Sequence, residues 1–279
     1  AIQGYGIRAE GSIGVLFENC EALRCGRHNF GAINAHNITF KGCRAAYVAP
    51  AVADGNTLYV SYADFNAPVT KCDTVYENCL AENEDNGLGG KYDDFTCHGD
   101  YLGAVSFTNF TLHTKASFMT TPVSIRGGSI DGGRIELWGV NAVVDGMTFK
   151  NNAFIDQWAA RGIIQNCVFD NVNAAEVAAV LVRADDHAQN RCTHSNTVSF
   201  NTFKLSGNNC MGFYGTAPNF KFYGNIMIGT PTYQGNAADV TYANYNFYGV
   251  TPGTIMGQSW ATWTAGGKDG NARTGDPLF

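Results

Sequence analysis

The sequence predicts an all-β solenoid in which short parallel strands stack coil upon coil. Three observations lead there. A four-residue phrase of alternating character recurs nine times along the chain, and alternation of apolar and polar positions is the signature of a strand. The phrase is filled by Phe, Tyr, Ile, Val and Thr, residues that suit a pleated, half-buried surface. Long amphipathic helices between its copies are lacking.

The phrase reads apolar, any, small or amide, small or apolar. It runs Phe17-Glu18-Asn19-Cys20, Phe40-Lys41-Gly42-Cys43, Tyr76-Glu77-Asn78-Cys79 and Phe107-Thr108-Asn109-Phe110. It continues as Ile125-Arg126-Gly127, Val144-Asp145-Gly146-Met147, Ile164-Gln165-Asn166-Cys167, Phe200-Asn201-Thr202-Phe203 and Phe222-Tyr223-Gly224-Asn225. The third positions fall at 19, 42, 78, 109, 127, 146, 166, 202 and 224, so most steps are 18 to 23 residues. Helical repeats need about 33 to 34 residues, so they are excluded. Segment 172–183 is the one plausible short helix. The three long steps hold insertions at roughly 48–74, 82–104 and 172–197.

Coils stacked about 4.8 Å apart place like residues on like. Nine or ten coils are expected, making one rod on the order of 40 Å long. Phe17, Phe40, Tyr76, Phe107, Ile125, Val144, Ile164, Phe200 and Phe222 should form one buried column. Cys20, Cys43, Cys79 and Cys167 share a second register, read as an interior ladder of reduced thiols rather than bridges. Residues 1–250 are expected to form the solenoid. Residues 251–279 read as a closing segment of a chain cut short after Phe279.

Composition narrows the function classes. Charged residues make up 15% of the 279 positions and hydrophobic residues 45%, with 18 Phe and 13 Tyr, which excludes a disordered chain. A net charge of −6 argues against a nucleic-acid partner. The absence of any apolar run near 18 residues argues against a membrane span. Nine cysteines cannot all pair within one chain, and none has zinc-finger spacing.

On these phrases the chain resembles the right-handed parallel β-helix proteins, the pectate-lyase-like superfamily, over about residues 4–249. The stretch Trp260, Trp263, Asp269, Asn271 and Gly275-Asp276-Pro277-Leu278-Phe279 is similar to closing segments of bacterial β-helix proteins. The resemblance implies a secreted protein or one displayed on a cell or virion. It also implies a lyase, hydrolase, epimerase, tailspike or adhesin.

Insertions that lengthen coils would form the walls of a groove suited to a long polymer. The densest polar segment, in the second insertion, holds Lys91, Tyr92, Asp93, Asp94 and His98. Paired carboxylates, a histidine and a lysine are the groups that acid–base work requires. Such carboxylates could serve glycoside hydrolysis, or hold Ca²⁺ against a uronate while a base takes a proton; no metal ligands are assigned. Strand alternation would send Asp94 and His98 to one side. His28, beside Arg27, could approach that side from the preceding interval. The short middle coils supply Arg134, Glu136 and Trp138, then Asp156, Gln157 and Trp158. Glu136 and Asp156 could stack as an acid pair beside tryptophans that receive sugar rings. Asp93, Asp94, His98, Lys91 and His28 are therefore the expected catalytic set. Arg27, Tyr92, Glu136, Trp138, Asp156 and Trp158 are the expected substrate contacts.

The expected activity is that of a lyase or glycoside hydrolase on a long, acidic polysaccharide. The alternative is a non-catalytic adhesin or scaffold that binds glycan. The partner is a polysaccharide substrate or glycan ligand, with oligomerisation left open.

Overall fold

The computed structural model describes residues 5–25, 28–48, 57–63, 74–82, 93–99, 105–112, 115–118, 123–137, 140–158, 161–172, 178–183, 195–205, 209–214, 219–229 and 232–276. They form a parallel β-solenoid with almost no helix. The chain divides into two compact units, Ala1–Gly139 and Val140–Phe279. In each unit a coil gives one strand to each of three sheets.

In the first unit the first sheet holds Tyr5–Glu10, His28–Ile33, Thr57–Ala63, Asp93–Gly99, Lys115–Phe118 and Arg134–Leu137. The second holds Leu16–Glu18, Ile38–Lys41, Thr74–Glu77, Val105–Thr108 and Val123–Arg126. The third holds Glu21–Cys25, Arg44–Val48, Leu80–Glu82, Thr111–Leu112 and Ser129–Asp131. The core is a lattice of rings. Phe40 stacks on Phe17 at 5.0 Å and on Tyr76 at 5.1 Å, and it meets the edges of Phe30 and Tyr59. Tyr59 crosses the interior and donates its hydroxyl to the carbonyls of Cys43 and Leu80, each at 3.0 Å. A buried tyrosine tip needs such partners, and here they lie in the third sheet.

The second unit repeats the plan. Its first sheet holds Phe154–Gln157, Val180–Arg183, Asn209–Tyr214 and Thr232–Gln234. Its second holds Val143–Asp145, Ile163–Gln165, Thr197–Ser199, Phe220–Tyr223 and Val240–Asn244. Its third runs from Thr148–Lys150 through Val168–Val172, Thr202–Leu205, Ile226–Ile228 and Phe247–Tyr248 to Arg273–Thr274. Phe149, Phe169 and Phe203 stack in its core at 4.5 and 4.8 Å. Of the segment 172–183, expected as a short helix, residues 172 and 178–183 are described, and none of them is helical. Val168–Val172 and Val180–Arg183 are strands, and in the second of them the buried β-branched Val180 and Val182 favour the pleat. The described α-helix is instead Trp260–Ala265, capped by Ser259, whose Oγ accepts from the Thr262 N–H.

The third position of the phrase has a physical cause. After each second-sheet strand the backbone turns through the left-handed region, at Asn19, Gly42, Asn78, Asn109 and Gly127 in the first unit and Gly146, Asn166, Phe200, Gly224 and Tyr245 in the second. Their φ values lie between 52° and 71°. Only Gly, and to a lesser extent Asn, visits this region readily. The expected core column holds at Phe40, Tyr76, Ile125, Val144, Ile164 and Phe222, which are buried; Phe17 is half-buried, and the Phe107 side chain lies outside the described residues. It fails at Phe200, which is 57% exposed. Strand register pairs Ile164 with Val198 and Val198 with Phe222, so Val198 fills the column and Phe200 takes the turn.

The residue after the turn faces inward. Cys20, Cys43 and Cys79 occupy this position in the first unit, and Cys167 does so in the second. All four are free thiols, as are Cys25 and Cys210. Beyond Cys167 the position passes to Asn201, Asn225 and Asn246. Each amide Oδ1 accepts the backbone N–H of the preceding member, at 2.9 Å for Cys167, 3.0 Å for Asn201 and 2.9 Å for Asn225. Each Nδ2 donates to a carbonyl of the coil before it. The column ends on Asp269, whose carboxyl oxygens accept from Asn246 Nδ2 at 2.7 Å, Tyr248 Oη at 2.9 Å and Trp263 Nε1 at 2.9 Å. Burial, helped by the neighbouring carboxyl group, pushes the Tyr248 hydroxyl well above its ordinary pKa.

Candidate functional site

The first sheet of the first unit brings scattered polar residues into one line. Register pairs Tyr5 with His28, His28 with Thr57, Thr57 with Asp93, Asp93 with Lys115 and Lys115 with Arg134. A histidine, an acid and two cations thus share the leading edge of consecutive strands, about 4.8 Å apart from strand to strand. Of these, Lys115 was not singled out in the sequence. Glu136 lies two residues past Arg134 and accepts from its Nε at 2.6 Å and its Nη2 at 2.5 Å. The bond is charge-assisted, with Glu136 buried at 5% exposure and the Arg134 side chain reaching it from a part-exposed position.

The expected site residues fall out as follows. His28 opens the strand His28–Ile33 and is 3% exposed. Asp93, Asp94 and His98 all lie in the strand Asp93–Gly99. Against Lys115–Phe118 the register slips between Asp93 and Phe95, so Asp94 is the extra residue of a β-bulge. Against Thr57–Ala63 the pairing stays regular from Asp93 to Gly99, and the side chains of Asp93, Asp94 and His98 lie outside the described residues. Arg27, Lys91, Tyr92 and Trp138 lie outside the described residues. Asp156 belongs to the second unit, buried in Phe154–Gln157, with Trp158 half-buried beyond it. Among the described residues, no group of three His, Cys, Asp or Glu is placed to hold a metal ion. No described helix is long and apolar enough to cross a membrane.

A second candidate lies on the outer face of the second sheet, in the second unit. Tyr245 is 62% exposed and Tyr242 40%, and with Phe200 and half-buried Tyr223 they form an aromatic strip. Phe200 meets Tyr223 edge to face at 5.4 Å, and Tyr223 meets Tyr242 at 5.5 Å. Two members sit in strained backbone, Phe200 at φ 57° and Tyr245 at φ 56°. The Phe200 ring lies over Gly224, where an added Cβ would come within 2.6 Å of Cε1. Glycine at 224 therefore lets the ring lie flat along the face. Lys221 pairs in register with Tyr242 and adds an exposed cation beside the rings. The sequence did carry a signal for this strip: Asn201, Asn225 and Asn246 recur at the period of the coil, each directly after a turn residue.

Comparison of the chain with protein-family models, with curated proteins and with solved structures found no significant match.

Proposed function

We propose that the protein is a polysaccharide-binding β-solenoid of the pectate-lyase-like kind, holding a long glycan along the aromatic strip of its second unit. The observation that carries this reading is Phe200, a large apolar ring kept exposed in a backbone conformation that disfavours it. Such strain costs on the order of 1 to 3 kcal/mol and collects at functional positions. Sugar rings present an apolar face to aromatic side chains, and neighbouring hydroxyls take hydrogen bonds from groups such as Tyr and Lys. Turn residues two coils apart, such as Phe200 and Tyr245, are separated by about 10 Å. That is the scale of successive sugars in a polymer. The reading carries an extracellular setting, secreted or displayed on a cell or virion.

The substitution Phe200→Asn separates function from structure. Asn suits the left-handed turn, so stability should rise by about 1 kcal/mol, seen as a melting point higher by about 2 to 4 °C. Retention in affinity gels cast with uronic-acid and neutral polysaccharides should fall about tenfold, the equivalent of about 1.4 kcal/mol. Unchanged retention on every glycan that the native protein binds would remove the strip from consideration.

A second reading, catalysis on an acidic polysaccharide, is favoured by the line of His28, Asp93, Lys115 and Arg134. Cations there would neutralise a uronate carboxylate, and an acid or histidine would move the proton of a lyase or hydrolase step. Unsaturated ends, followed by absorbance, and reducing sugar should then appear with the native protein. Both should drop at least a hundredfold in Asp93→Asn, Asp94→Asn and His98→Ala, with binding kept. Product formation that survives all three would shift the catalytic role elsewhere, and no product from any polysaccharide would leave binding as the function.

A further inference from the structure

The three thiols of the first unit make a continuous column. Cys20, Cys43 and Cys79 follow the turn in coils whose strands pair Glu18 with Lys41 and Lys41 with Glu77. Backbone bonds of 2.9 Å, from the Arg44 N–H to the Cys20 carbonyl and from the Leu80 N–H to the Cys43 carbonyl, keep the coils in step past the turn. In-register parallel strands hold Cα atoms about 4.8 Å apart, inside the roughly 4.4 to 6.8 Å window of a disulfide. Each buried sulfur leans back along the column: Cys43 Sγ lies 3.4 Å from the Phe17 carbonyl and Cys79 Sγ 3.3 Å from the Phe40 carbonyl. In the next coil the position belongs to Phe110, packed edge-on against Tyr76 at 5.9 Å, and this ring closes the column.

The three thiols are not equivalent. Cys20 is part-exposed, whereas Cys43 and Cys79 are buried. The hydrogen bond between the Cys79 and Cys43 side chains lowers the Cys43 thiol from its ordinary value against burial, with smaller help from backbone groups and the Cys20 thiol. The same bond and burial push the Cys79 thiol up, and burial first of all raises Cys20. The middle sulfur therefore lies between two thiols of the same column, and Cys20 is the one of the three that solvent reaches.

We infer that Cys20 and Cys43 form a dithiol–disulfide site, entered by a small-molecule disulfide at Cys20 and closed by attack of Cys43. In the first step the Cys20 sulfur, having lost its proton to solvent, attacks the small disulfide. A mixed disulfide forms on Cys20, and one small thiolate leaves. In the second step the Cys43 thiolate attacks the Cys20 sulfur, the Cys20–Cys43 bond forms and the second small thiolate leaves. The protein dithiol is oxidised by two electrons, the small disulfide is reduced to two thiols, and the two protein protons end on them. Cys79, the next thiol in the column, hydrogen-bonds to the Phe40 and Glu77 carbonyls and stays reduced.

Oxidised glutathione is the probe, at neutral pH, with mass spectrometry of intact protein and of peptides. The native protein should lose the Cys20 and Cys43 thiols together and yield a linked pair of peptides, and its melting point should rise. Cys43→Ser should stop at one glutathione held on Cys20. Cys79→Ala should still close the bridge between Cys20 and Cys43. Circular dichroism of each variant checks that the coils remain. Three results would each overturn the assignment: all three thiols still free, glutathione persisting on Cys20 in the native protein, or a bridge made to Cys79 instead.

Discussion

Replacing Asp269 with Ala should lower the unfolding free energy of the second unit by about 4 kcal/mol. The carboxyl group closes the asparagine column and accepts from Asn246, Tyr248 and Trp263. Removing it strands three buried donors, each worth about 1 to 3 kcal/mol when unsatisfied, with incomplete addition because they share one acceptor group. Asp269→Asn keeps the size and one acceptor oxygen, so it should cost about half as much. Trp263 is the natural reporter, since its indole N–H is one of the three donors; urea titration followed by its fluorescence gives both numbers. A loss below about 1 kcal/mol for the Ala variant would mean that water or a neighbouring carbonyl takes over the donors.

Phe40→Ala should destabilise the first unit by about 3 to 5 kcal/mol, the range for large aromatic deletions from a packed core. Four rings surround Phe40: Phe17, Phe30, Tyr59 and Tyr76. Tyr59 is itself held at its hydroxyl by two carbonyls, so it cannot swing in to fill the space. The comparison that gives the figure meaning is Phe200→Ala, also a loss of a phenyl ring from a repeat phrase. With its ring outside the core, it should cost less than about 1 kcal/mol. Equal losses at 40 and 200, measured by chemical denaturation, would contradict the register.

The contrast between Phe40 and Phe200 also shows how far the sequence could be read. The solenoid was legible because two local rules write themselves onto each coil: alternation in the second-sheet strand, and Asn or Gly at its left-handed turn. Where an aromatic residue occupies that turn the rules conflict. Phe200 then reads as core, the phrase slips by two residues, and the coil that turns at Tyr245 goes unnoticed. The first sheet was harder to read for another reason. Its strands are separated by insertions of unequal length, and the line of His28, Asp93, Lys115 and Arg134 exists only through pairing between coils. Arg134 and Glu136, two residues apart on one strand, were the part of that site visible at short range.

The asparagine column of the second unit has a consequence in time. The N–H of Asn201 rests on the side chain of Asn225, and the N–H of Asn225 on the side chain of Asn246, which itself holds Asp269. No coil in this series can lift away without taking an acceptor from the one before it. Stacked repeats open in units set by such coupling between nearest neighbours. Left in heavy water, the protein should therefore exchange the amide protons of Cys167, Asn201 and Asn225 on one shared clock, as a block, while the ends of the strands around them exchange earlier and each at its own pace.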